Sequence, residues 1–130
     1  MTENKYDVGF NKFKNIYGEL GIRVLQNVKQ ISPDMVKYIV EFAFGEIYSR
    51  EGLDIKSREI VSISSLLTLG NAVPQLKSHI HGALNIGCSR GEILEIVIQI
   101  LLYSGFPTAL NGLQTVKEVF EERDKNGINN

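Results

Sequence analysis

The sequence predicts an all-α protein, and three observations carry that reading. Apolar residues recur at three- and four-residue spacings through most of the chain. The breaks between these stretches are helix punctuation: Ser32-Pro33-Asp34, Gly70-Asn71, Pro74, Gly87, Ser89-Arg90-Gly91-Glu92 and Gly105-Phe106-Pro107. No stretch alternates apolar and polar residues as a half-buried strand would. The pattern suggests about six to seven helices. A chain of 130 residues suggests one domain over residues 1–130, with its core over 6–120.

In the first helical stretch, Tyr6, Phe10, Phe13 and Tyr17 fall on one face, which reads as a packing surface for the core or a partner subunit. Gly18 and Gly21 bracket a break, and residues 22–28 are a short, weak helical candidate. Ser32 caps the next helix, Pro33 fits its first turn and Asp34 suits its dipole. That helix should reach Tyr48 and give way to a polar loop containing Gly52.

A third stretch begins near Asp54 or Ser57 and ends at Leu69, with Ile60, Ile63 and Leu67 on one face. Glu59 falls in angle between Ile63 and Leu66, at the margin of the apolar arc, and Arg58 points away from it. The next helix buries Leu76, Ile80, Ala83 and Leu84; His79 flanks that stripe, and His81 lies farther round with Lys77 and Asn85. Ser89 and Glu92 fit a capping box. Residues 93–102 are apolar nearly all round, so burial on most sides is expected, with Glu92, Gln99 and Tyr103 as one internal polar stripe. The last helix packs Ala109, Leu113, Val116, Val119 and Phe120. The aperiodic tail, residues 121–130, is expected to fray.

Hydrophobic residues make up 43% and charged residues 22% of the chain, enough apolar material for a core. The formal net charge is −1 with no dense basic block, which argues against nucleic-acid binding. No basic-then-apolar leader opens the chain, the densest apolar run is too short for a bilayer, and the single cysteine excludes an intrachain disulfide. A cytoplasmic protein with no membrane partner is expected. The apolar helix and the aromatic face together exceed what one small protomer covers, so a homo-oligomer is expected.

The motifs Phe44-Gly45-Glu46-Ile47-Tyr48-Ser49-Arg50, Gly52-Leu53-Asp54, Arg58-Glu59, His79 and Ala83-Leu84-Asn85-Ile86-Gly87 resemble the gamma-carboxymuconolactone decarboxylase family, in this order and spacing. Glu92-Ile93, Gln99, Tyr103 and Gly105-Phe106-Pro107, followed by Ala109 and Asn111, extend the likeness over nearly the whole chain. The resemblance implies a helical bundle of the alkylhydroperoxidase D-like type, associating as a hexamer in preference to a trimer or dimer. It implies decarboxylation of 4-carboxymuconolactone to 3-oxoadipate enol-lactone without a cofactor. The related thiol peroxidases carry a Cys-x-x-Cys ahead of the histidine matching His79; here those positions hold Ala72 and Gln75.

Loss of CO₂ from an unsaturated lactone pushes an electron pair onto the ring carbonyl, and a proton must then reach carbon. His79 is the first candidate for proton donor or oxyanion partner, because imidazole titrates near neutral pH. Glu59 is the second, as an acid, a base or the group that orients His79. Arg58 and Arg50 are candidate clamps for substrate carboxylates, and Gln99 and Tyr103 candidate pocket walls. Each has a plainer reading as a packing or surface residue. Cys88, ahead of a helix start that can lower a thiol's pKa, is the alternative redox residue for a peroxidase activity, although a structural cysteine is favoured. His79 and His81 diverge on their helix, so no metal site is expected. A non-catalytic helical assembly protein is the remaining alternative.

Overall fold

Asn4 opens the first helix, α1 (Lys5–Ile31), by accepting the Asp7 N–H on its side chain at 2.8 Å. The computed structural model describes residues 4–130, and every regular element among them is helical. They group into two compact units, divided between Ile55 and Lys56.

In the first unit, α1 kinks at Gly18, whose φ of 61° and ψ of −149° suit a residue without a Cβ. The helix then resumes and reaches Ile31, well beyond the weak segment expected after Gly21. Ser32 accepts the Met35 N–H at 3.1 Å and starts α2 (Pro33–Lys37). Where a continuous α-helix is expected, the chain widens into a π-helical segment, Tyr38–Ile47, and the Tyr48 N–H reaches back five residues to the Ala43 carbonyl at 2.8 Å. Apolar periodicity does not distinguish the two windings over so short a run.

Two glycines let α1 and the π segment touch backbone to backbone. A Cβ on Gly9 would lie 1.9 Å from the Val40 carbonyl oxygen, and one on Gly45 would lie 2.6 Å from that of Lys5. Beside this contact, Phe13 and Tyr17 of α1 meet Phe44 edge-on, with centroids 5.0 and 5.6 Å away, and Phe44 packs on Tyr48. The expected four-aromatic face is therefore divided: Phe13 and Tyr17 are buried, while Tyr6 is exposed and stacks on Phe10.

The second unit holds α3 (Ile55–Leu69), α4 (Val73–Asn85), α5 (Arg90–Ser104) and α6 (Phe106–Lys125). Its core joins Ile63 and Leu67 to Ile80 and Leu84, and these to Ile93, Val97, Val116 and Val119. Both α4 and α6 end in the same glycine-centred cap. At the end of α4, Gly87 (φ 112°) donates to Leu84 and Cys88 to Ala83; at the end of α6, Gly127 (φ 73°) donates to Asp124 and Ile128 to Arg123. The capping box at α5 forms as expected, each of its two bonds at 3.0 Å, and the second Glu92 oxygen takes Lys56 of α3 at 2.9 Å.

Two expectations are corrected. First, α5 buries only one face: Leu94, Ile98 and Leu102 lie exposed along the other, and Gln99 and Tyr103 stand at the surface. Periodicity reports which residues prefer burial, and one chain supplies neighbours for only part of this helix. Second, the tail does not fray at residue 121. Helix α6 runs to Lys125, Arg123 is 2% exposed, and Asn130 is bound by Arg123. The anchor is polar, so an absent apolar pattern does not report it. Among the described residues, no helix is long and apolar enough to cross a membrane.

Gly9→Ala should destabilise the protein by about 3 kcal/mol, because the clash is with backbone that cannot rotate away. Gly52→Ala, where an added Cβ meets nothing within 4 Å, should unfold in denaturant like wild type. Equal midpoints for the two variants would disprove the close contact.

Candidate active site

Glu59 belongs to α3 and has no solvent exposure, deeper than the marginal position its helical angle implies. A carboxyl group out of water must have hydrogen-bonding partners. One is His79 of α4, whose Nδ1 lies 2.8 Å from Glu59 Oε2. Two bare lone pairs at that separation would repel, so one proton lies between them. With that proton on Nδ1, the exchangeable lone pair of the ring is at Nε2. The His79 side chain is 22% exposed against 0% for Glu59, so the pair runs from a dry carboxyl end to a wetter imidazole end. A buried carboxylate so placed fixes the tautomer and orientation of the ring and stabilises the imidazolium when it forms.

His81, two residues on, is fixed differently. Its Nδ1 faces a guanidinium nitrogen of Arg123 at 3.1 Å and its Nε2 faces Glu122 Oε2 at 2.9 Å. A guanidinium only donates, so Nδ1 accepts and Nε2–H donates. Both ring nitrogens are thus held by α6. Lys77 joins the same cluster through Glu122 at 2.7 Å and Glu118 at 3.3 Å. Lys77 first, then His81, holds the Glu122 carboxyl below its ordinary range. Sequence reasoning places Glu122 and Arg123 in a frayed tail and misses this cluster; the only available signal is the four-residue spacing of Glu118 and Glu122.

Arg58 precedes Glu59 on α3 and is half-buried, whereas Arg50 lies in the first unit, exposed, just past the π segment. Gln99 and Tyr103 are exposed on α5, not internal, and Tyr103 is 80% accessible. A cavity of about 20 Å³ between α3, α4 and α6 is lined by Leu67, Leu76, Thr108 and Asn111 among others; neither Glu59 nor His79 lines it. It has room for about one water molecule.

Cys88 is buried, and its thiol is pushed up from its ordinary value near 9, first by burial and then by the charge of Glu92, with Lys56 opposing. This reverses the expectation that the following helix start lowers it: loss of solvent outweighs the helix dipole. Because the folded pKa is raised, the unfolded chain binds fewer protons above that ordinary value, and stability falls as pH rises past it. Cys88 in the native protein should therefore react with an aromatic disulfide reagent at pH 8 at least about tenfold more slowly than in denaturant. Equal labelling rates would contradict the buried, protonated thiol.

Residues 33–118 match the carboxymuconolactone decarboxylase family. Over 121 residues the chain is 31% identical to 4-carboxymuconolactone decarboxylase of Acinetobacter baylyi, an alignment covering 92% of this chain and 90% of that protein. It is 30% identical over 123 residues to nitrosuccinic acid decarboxylase of Metarhizium robertsii, covering 90% and 82%. It is also 29% identical over 102 residues to an uncharacterised 15.0 kDa protein of Paracoccus denitrificans, covering 78% and 76%. With the motifs in order and the family match spanning residues of both units, the chain belongs to the carboxymuconolactone decarboxylase family.

Proposed function

We propose that this protein is a cofactor-free decarboxylase of 4-carboxymuconolactone, or of a closely similar small carboxylated lactone, and that Glu59 and His79 handle its proton. The contact of 2.8 Å between the two side chains carries the proposal. When the bond to CO₂ breaks, its electron pair flows into the unsaturated lactone and builds charge on the ring carbonyl oxygen. The His79 imidazolium delivers a proton from Nε2, and Glu59 behind it stabilises the charged ring until it does so. Arg58 supplies a forked cation for a substrate carboxylate.

Two relatives are named as decarboxylases of different acids, which favours the reaction type more strongly than any single substrate. The peroxidase alternative has no comparable support: Cys88 is the chain's single cysteine, it is buried, and its thiol is held protonated. The proposal extends to a homo-oligomer, with a hexamer favoured. Leu94, Ile98 and Leu102 form an exposed stripe at four-residue spacing on α5, and Phe106 and Leu110 add to the apolar surface of α6.

In a spectrophotometric assay on 4-carboxymuconolactone, His79→Ala should lower kcat by about 10³-fold and Glu59→Gln by about 10²-fold, with smaller changes in KM. If the wild type turns the lactone over and His79→Ala keeps the full rate, the assignment fails; a wild type inactive on every carboxylated lactone supplied supports the assembly-protein alternative. Light scattering should give a mass several times that of one 14.6 kDa chain, and Ile98→Arg should reduce it. A monomer mass for the wild type would refute the oligomer.

A further inference from the structure

Among the described residues Arg123 is the largest fully buried side chain, at 2% exposed. Arginine is rarely sealed so completely unless its charge and donors are met. None of the hydrogen bonds made by this guanidinium goes to a side-chain carboxylate. Its Nε donates to the main-chain oxygen of Asn130 at 2.5 Å, and one terminal nitrogen donates to the side-chain oxygens of Asn130 and Asn85, both at 3.1 Å. The other terminal nitrogen meets His81 Nδ1. The Asn130 side chain is engaged at its other edge too, its amide nitrogen donating to the Leu84 carbonyl at 2.8 Å.

We propose that Arg123, Asn85, His81 and the Leu84 carbonyl form an intramolecular binding slot for the carboxamide and main-chain oxygen of Asn130, and that its occupation latches the end of α4, the helix that carries His79. The slot reads a carboxamide by polarity. One wall donates to the amide oxygen and the other accepts from the amide nitrogen, so an aspartate would set a second oxygen against the Leu84 carbonyl. The chain is led there by the cap on α6: Gly127 turns it at φ 73°, and the Ile128 N–H returns to the Arg123 carbonyl at 2.8 Å. The Leu84 carbonyl lies in the last turn of α4, beyond the reach of a regular intrahelical donor. It also receives the Ile86 N–H, shared with the Gly82 carbonyl, and the Gly87 N–H at 3.3 Å, and the Asn130 amide bond of 2.8 Å is shorter than the Gly87 contact. Without Asn130, the guanidinium would stay buried with only Asn85 and His81 as partners, and the end of α4 would lose its clamp.

The latch stands apart from the decarboxylase reading; only the importance of His79 draws on it. It can be tested without any activity measurement, by amide hydrogen exchange and imidazole NMR on the full chain. Asn130→Ala and Asn130→Asp should each speed exchange of the Ile128 N–H by about tenfold or more and shift the ring signals of His81 and His79. Asn129→Ala, at an exposed neighbour, should leave all three at their wild-type values. Arg123→Lys, which keeps the charge and loses the fork, should reproduce the Asn130→Ala pattern. Wild-type exchange and wild-type His81 signals in Asn130→Ala would overturn the slot. A shift at His81 with His79 unmoved would overturn the coupling to α4.

Discussion

The second unit depends on one constraint: Glu59 has no access to water. An apolar side chain of the same volume would fill this position at less cost, since burying a carboxyl group requires its oxygens to be bonded within the protein. That requirement sets the rotation of two helices. Helix α3 must turn Glu59 inward, and α4 must present an imidazole to it at 2.8 Å. Such a pair contributes little to stability, and the carboxyl group fixes the orientation of the imidazole.

Helix α4 meets that demand with three consecutive residues, His79-Ile80-His81. Successive side chains on a helix are turned by about 100°, so Ile80 enters the core at 0% exposure with an imidazole on either side. One ring faces Glu59 through Nδ1, and its side chain is 22% exposed. The other is held at both nitrogens by Glu122 and Arg123 of α6. The same residue type thus stands at the wetter end of one pair and as a fixed strut in another, and the difference lies in the partners. A donor-only guanidinium and an acceptor leave His81 one tautomer and no vacant site on the ring.

Much of this was legible in the sequence because helix signals are local. Ser32, the Ser89–Glu92 box, Gly70, Gly87 and Gly105 act within a few residues, and the structure places helix ends beside each. The 100° wheel put Glu59 and His79 beside apolar stripes, and the structure brings them into contact. What escaped depends on distant partners. The π winding answers to α1 through Gly9 and Gly45. Gln99 and Tyr103 share a face of an apolar helix, yet both are exposed. Arg123 sits in a segment without apolar periodicity and is buried by hydrogen bonds to Asn130 and to α4. Cys88 has a helix start beside it, but its solvation is decided by the core around it.

The gradient from dry carboxyl to wetter imidazole also assigns the two roles within the proposed reaction. Replacing CO₂ on carbon by hydrogen consumes one proton per turnover, and that proton must come from water. A group with no exposure cannot be reloaded directly, whereas a ring with 22% of its side chain exposed can. In the reaction we propose, proton delivery falls to His79, and Glu59 acts through it by fixing the tautomer and stabilising the charged ring. Exchanging the roles would require the buried carboxyl to take each proton from the imidazole and pass it to the substrate, although no solvent-accessible surface of Glu59 is available for a substrate to approach. Carboxylate inside and imidazole outside is the order in which the pair can work and be recharged.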